Sequence, residues 1–292
     1  MRRVFLAVGL LAVLTVSVTT LQQRPQVAAH FHHVHVNSTD PARTQAFYEK
    51  TFGAQPVKFK DKTDALFTSR GFILINKVAT TPRDLETTSI RHIGWAGIDG
   101  PNEFARFKSQ GVQFHTPLTP LGQNWFFYIF GPDREIAEVY TGDQNHLFNH
   151  VHYSVEDVAA TAQWYERTLG MTFPASAKAP RPTDPAARWG SSARLDGVSF
   201  VLIYKDHYYA DSEHRLPVGR TLQSTQGTTV DHVAFSYTDI APEFDRMKAA
   251  GVPIVQPIAE RPDGVKSFFI TGPDAVLLEI VEAPPIPDGL WR

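Results

Sequence analysis

The chain has 292 residues, 42% hydrophobic and 20% charged, with 28 Lys+Arg against 30 Asp+Glu. That balance fits roughly two globular domains and excludes a disordered or collagen-like chain. A net charge of −2 without a basic run gives no basis for nucleic acid or an anionic membrane surface as partner, and zero cysteines exclude disulfides.

The first 29 residues differ from the rest. Arg2 and Arg3 precede an apolar run from Val4 to Val18, and the segment ends in the small residues Val27-Ala28-Ala29. This order is that of a cleaved export signal, so the mature chain is expected to begin at His30 and to be periplasmic or secreted. A short uncleaved anchor is the alternative, weakened by Thr15, Ser17, Thr19 and Thr20 within the run. No stable membrane anchor is expected after cleavage.

From His30 onward one pattern occurs four times. The copies open HVHVNSTD at His33, HIGWAGID at His92, HVHYSVED at His150 and HVAFSYTD at His232. Each continues into a helix-like stretch closed by a glycine, Gly53, Gly111, Gly170 and Gly251, at a distance of 20, 19, 20 and 19 residues. Internal repetition of this kind governs the fold. In the first copy Asp40-Pro41 supplies a helix cap and first turn, Phe47, Tyr48 and Phe52 the buried face, and Gly53 the left-handed end. In the third, Asp157 begins the equivalent helix, with Trp164, Tyr165 and Leu169 as its apolar stripe. Residues 70–77 and 198–205 read as buried strands. The third copy is longer, and its excess falls in 174–189 and 205–227, both read as long loops. The second and fourth copies end in strands that carry Glu138 and Glu279.

Four βαβββ modules of this kind resemble the vicinal oxygen chelate superfamily, which includes glyoxalases, bleomycin-resistance proteins and extradiol dioxygenases. The phrases that carry the resemblance run from Asp40 to Gly53 (D-x6-FYE-x3-G) and, as GPDxxxxE, from Gly131 to Glu138 and Gly272 to Glu279. The resemblance implies an α+β fold of four modules paired into two domains, 30–145 (modules 1 and 2) and 146–292 (modules 3 and 4). Their mixed curved sheets would each enclose a cleft, with the break near 141–146. It also implies a divalent metal, held by His33, His92 and Glu138 in one domain and by His150, His232 and Glu279 in the other. The family's fourth ligand position falls on Leu74 and Leu202, which leaves three protein ligands and open coordination positions. Fe(II) or Mn(II) is the favoured metal, with Zn(II) as an alternative.

Residues two apart on a strand face the same way. His35 and His152 therefore share the cleft side with His33 and His150, as proton-transfer groups or as core histidines bonded to backbone. Tyr128 falls at the substrate-contacting position of extradiol enzymes, whereas the fourth module has Phe269 there. The further histidine expected shortly before that position is absent from 117–125 and 258–266, and the expected acid–base histidine maps near Asp196 and Gly197. His207 and His214 are substitutes only if their loop folds inward. A copper chelate at His30 and His32 is the remaining metal possibility. The resulting expectation is a metal-dependent dioxygenase acting on a small, aromatic substrate. The alternatives are a glyoxalase- or epimerase-like lyase or isomerase and a non-catalytic binding protein of the resistance type. Either a monomer or a homodimer suits the pattern.

Overall fold

The computed structural model describes residues 27–286 apart from 60–62, 84, 86, 184–189, 207–220 and 262–263. The expected signal segment before Val27, as well as His207 and His214, lies outside the described residues. Module 1 consists of β1 (His30–Ser38), α1 (Pro41–Phe52), β2 (Gln55–Phe59), β3 (Thr63–Phe67) and β4 (Phe72–Lys77). Module 2 is β5 (Ile90–Gly97), α2 (Gly100–Ser109), β6 (Phe114–Leu121), β7 (Asn124–Phe130) and β8 (Ile136–Thr141). Module 3 is β9 (Phe148–Val155), α3 (Val158–Leu169), a 3-10 turn (Ala175–Lys178), β10 (Gly190–Leu195) and β11 (Val198–Tyr204). Among the described residues it has two strands after its helix instead of three. Module 4 is β12 (Val230–Tyr237), α4 (Ala241–Ala249), β13 (Ile254–Glu260), β14 (Lys266–Thr271) and β15 (Leu277–Glu282).

The helix boundaries follow the local chemistry. Asp40 accepts from the Arg43 N–H at 3.2 Å and Asp157 from the Ala160 N–H at 3.0 Å, satisfying donors that a helix start leaves open. Gly53 and Gly170 close α1 and α3 at φ 68° and 70°, a left-handed conformation that glycine adopts without a Cβ penalty.

The pairing of modules departs from the sequence-based expectation. One sheet has the order β13-β14-β15-β12-β1-β4-β3-β2, and the other β10-β11-β9-β5-β8-β7-β6. Module 1 therefore shares a sheet with module 4, and module 2 with module 3, each through an antiparallel seam, β1 with β12 and β5 with β9. The expected break near 141–146 falls inside the second sheet. Modules 1 and 2, and likewise modules 3 and 4, meet instead through their helices and loops. Asp133 in the β7–β8 loop accepts from Ser38 Oγ (2.6 Å), Thr39 Oγ1 (2.9 Å) and Thr44 Oγ1 (3.2 Å) at the start of α1. Arg106 of α2 donates to the Thr51 carbonyl, and Arg246 of α4 to the Thr168 carbonyl. Repetition shows that modules pair, but four similar modules have similar open edges, and long-range packing decides which edges meet.

A single core holds residues from both sheets and all four helices, among them Val34, Val36, Tyr48, Trp95, Phe107, Val151, Tyr165, Phe235 and Met247. Phe52 stacks on Trp95 at 4.2 Å, and Phe31 on Phe148 at 5.5 Å, which ties β1 to β9 across the two sheets. Alternation on β1 turns Val34 and Val36 into this core and leaves His33 and His35 on the opposite face, beside the smaller cluster of Phe72, Leu74 and Ala234.

Candidate metal centres

Each seam places a histidine pair from one module against a histidine and a glutamate from another. On β1 and β12, His35 stands opposite His232 and His33 opposite Ala234, and Ala234 in turn pairs with Glu279 of β15. On β9 and β5, His152 stands opposite His92 and His150 opposite Gly94, which pairs with Glu138 of β8. Two donor sets result, His33, His35, His232 and Glu279 in one and His92, Glu138, His150 and His152 in the other. Within each set one ligand atom per residue lies within 4.8 Å of all the others.

The contacts are close and parallel in the two sets. Glu279 Oε2 lies 3.2 Å from His33 Nε2 and 3.3 Å from His232 Nε2, and His35 Nδ1 lies 3.2 Å from His232 Nε2. Glu138 Oε2 lies 2.7 Å from His92 Nε2 and 3.1 Å from His150 Nε2, and His152 Nδ1 lies 3.1 Å from His92 Nε2. Gly94 makes room for the second set, because a Cβ there would sit 1.9 Å from His150 Cε1.

Burial lowers four of the clustered histidines. His33 and His92 are brought down to about 4, their glutamate partners only partly opposing the shift. His35 and His152 also fall well below 6.5, by burial and by the imidazole facing each. Burial pushes both glutamates upward, but the flanking histidines outweigh it and hold Glu138 and Glu279 below the usual carboxylate range. His232 moves the other way: burial would lower it, but Asp231 and Glu279 raise it. Neutral imidazoles beside an ionised carboxylate are the protonation states that metal coordination requires.

The residues present fit a divalent ion. Three imidazoles and one carboxylate suit Fe(II), Mn(II) or Zn(II). His33 Nε2 is buried and, though 3.2 Å from Glu279 Oε2, makes no well-aligned hydrogen bond, an arrangement that costs free energy unless something else engages the nitrogen.

The sequence reading named every member of both sets but grouped them otherwise. His33 stands with His232 and Glu279, not with His92 and Glu138, and His150 stands with the latter two, because the sheets cross the chain halves. His35 and His152 are members of the donor sets and not only their neighbours. Leu74 lies level with His35 on the cleft face. Leu202 pairs with Tyr153 and is buried in the core, so the residue level with His152 is Val201, again without a donor atom. Asp196 accepts from the Phe31 N–H at 2.7 Å and holds His30 Nδ1 at 3.1 Å. His30 and His32 belong to neither donor group among the described residues.

Tyr128 is buried and packs against His92, ring centroids 4.9 Å apart. His115, which the sequence reading missed, lies beside it at 5.8 Å because Thr116 of β6 pairs with Tyr128 of β7. The two are distant in sequence, so only the strand register reveals the pair. Asp231 and Asn149 were likewise missed, although each directly precedes a repeat histidine. They hold His232 Nδ1 and His150 Nδ1, each at 2.7 Å.

The family model of the Glyoxalase/Bleomycin resistance protein/Dioxygenase superfamily matches residues 30–139 and 147–280. The chain belongs to this superfamily. Glyoxalase I from Zea mays is similar in structure, with a TM-score of 0.65 at 17% identity over 87% of this chain and 92% of that one. A Bacillus subtilis protein named as a candidate dioxygenase aligns with a TM-score of 0.61 at 14% identity, over 89% of this chain and 87% of its own. At these identities the likeness shows the fold. No curated protein sequence matches the chain.

Proposed function

We propose that the protein is an exported, divalent-metal-dependent enzyme that binds a small molecule through two adjacent oxygens and isomerises or cleaves it without consuming oxygen. One observation carries the oxygen-independent reading: each cleft offers four protein donors instead of three. A six-coordinate ion held by four side chains keeps two positions, enough for a chelating substrate but not for a chelating substrate together with dioxygen. An ion held there supplies Lewis acidity to the bound oxygens.

The chain's own residues do the rest. Glu279 with His33, and Glu138 with His92, hold fixed negative charge and neutral nitrogens in buried positions, so little reorganisation is needed on binding. His35 is half-buried whereas His33 is fully buried, so His35 marks the solvent side of the first cleft. Both sets are complete within one chain, and a second copy is not needed to build either.

Tyr128 and His115 favour a second reading, an oxygen-consuming dioxygenase at the β5/β8/β9 set, since they add a phenol and an imidazole to that side. Substrate turnover under nitrogen with Zn(II) or Mg(II) supports the lyase or isomerase. Turnover only with Fe(II) or Mn(II), in step with oxygen uptake, overturns it in favour of the dioxygenase. Binding without turnover under both conditions leaves a sequestering protein. Export rests on Arg2, Arg3 and the apolar run to Val18. Amino-terminal sequencing of the protein from its host is expected to give a chain starting near His30, and an intact Met1 in the membrane fraction would refute it.

A further inference from the structure

The two donor sets match atom for atom, but the residues behind them do not. Directly before His232 stands Asp231, whose carboxylate lies 2.7 Å from His232 Nδ1 and is itself held by the Gly227 N–H at 2.6 Å and Asn37 Nδ2 at 3.1 Å. Directly before His92, at the corresponding point of β5, stands Arg91, which is buried. His92 Nδ1 is buried as well and has no hydrogen-bond partner. One seam histidine is thus backed by a braced anion, whereas Nδ1 of its counterpart meets no acceptor and Arg91 precedes it in the strand. The other two backing groups are both uncharged acceptors or rings, Asn149 Oδ1 at His150 Nδ1 and the His32 ring at His33 Nδ1, each at 2.7 Å.

A carboxylate behind a ligating imidazole fixes its tautomer and orientation and raises its basicity, and losing such a partner typically weakens metal affinity 10- to 100-fold. A buried cation beside the site acts in the opposite sense on an incoming divalent ion. Arg261 acts in the same sense at the first set, with Nη1 3.4 Å from Glu279 Oε1, so a cation flanks each set and the contrast between them is the group behind the seam histidine, a braced carboxylate at His232 Nδ1 and no acceptor at His92 Nδ1. From this contrast, and resting on the reading that both sets hold metal, we infer that the two centres are unequal. The β1/β12/β15 centre fills first and retains its ion, and the β5/β8/β9 centre binds at least tenfold more weakly and exchanges its ion with solution.

Titration of the metal-free full-length protein with Zn(II) against a competing chelator reads this directly, without any activity. Two steps of one ion per chain are expected, separated by tenfold or more. Asp231→Asn, nearly isosteric, should weaken the tighter step 10- to 100-fold and leave the weaker one in place. Arg91→Gln should tighten the weaker step, and His150→Ala should remove that step alone. Two equal steps in the native protein would overturn the inequality while leaving the metal reading intact. Loss of the tighter step in His150→Ala, with its survival in Asp231→Asn, would reverse the assignment and overturn it as well. Absence of any bound Zn(II) would overturn the metal reading itself, and this inference with it.

Discussion

At the scale of single residues, the centres depend on side chains whose environment is set by what is missing beside them. Gly94 leaves the space in which the His150 imidazole sits, whereas the corresponding residue of the other seam, Ala234, carries a Cβ. Gly94→Ala should therefore push His150 out of its donor set. The expected result is one fewer metal ion per chain with an unchanged far-ultraviolet circular dichroism spectrum; undiminished metal content would refute this role for Gly94. Glu135 gives a second test. Burial raises it from 4.5 to about 7, despite hydrogen bonds from Tyr48 Oη at 3.0 Å and the Asp133 N–H at 3.0 Å. Its folded form holds a proton that the unfolded chain releases near pH 4.5. Stability is therefore lost as pH rises between about 4.5 and 7, by at most about 3 kcal/mol from this group. Urea unfolding at pH 5 and pH 8 should show that loss in the native protein and its absence in Glu135→Gln.

At the scale of elements, helix starts show local and tertiary anchoring side by side. Asp157 caps α3 from its own chain neighbourhood, on the solvent side, and Asp157→Ala should cost about 1 kcal/mol. Asp133 belongs to a different module from α1, yet it accepts from Ser38, Thr39 and Thr44 in a buried pocket. Asp133→Ala would leave the bonded pair of Ser38 and Thr44 hydroxyls, 2.8 Å apart, one buried acceptor short and should cost about 2 to 3 kcal/mol. Denaturant midpoints compare the two variants, and an equal or smaller loss for Asp133→Ala would mean that the bridge between modules carries no more than an ordinary cap. The GPD phrase in modules 2 and 4 thus has a physical role, holding the preceding module's helix. Asp274 makes the corresponding contact to the Glu156 N–H at 3.3 Å.

At the scale of the whole molecule, each sheet is built from both halves of the chain, so neither half is self-sufficient. A fragment of residues 27–145 would leave β1 without β12 and β5 without β9, two unpaired edges that each carry a row of open donors and acceptors. It should not persist as a folded monomer. Size-exclusion chromatography with light scattering should show association or aggregation, and a stable folded monomer would contradict the seam-dependent architecture.

The amino-acid sequence alone determined the module, its fourfold repetition and six of the eight clustered side chains, with His35 and His152 placed beside the ligand positions instead of among them, because strand alternation, helix caps and the His-to-Gly interval are local properties written within about twenty residues. Asp40 and Gly53 mark α1, and the HVH phrases mark which faces of β1 and β9 carry imidazoles, without reference to the rest of the chain. Only the tertiary structure decided which of these side chains cluster together. His33 meets Glu279 rather than Glu138 because β1 pairs with β12, and that choice among four similar edges depends on packing across the whole core. It likewise turned Leu202 inward and brought His115 to Tyr128, since register between strands is set by their partners. Residue types and local periodicity are readable one segment at a time, whereas the grouping of those residues is a property of contacts between segments far apart in sequence.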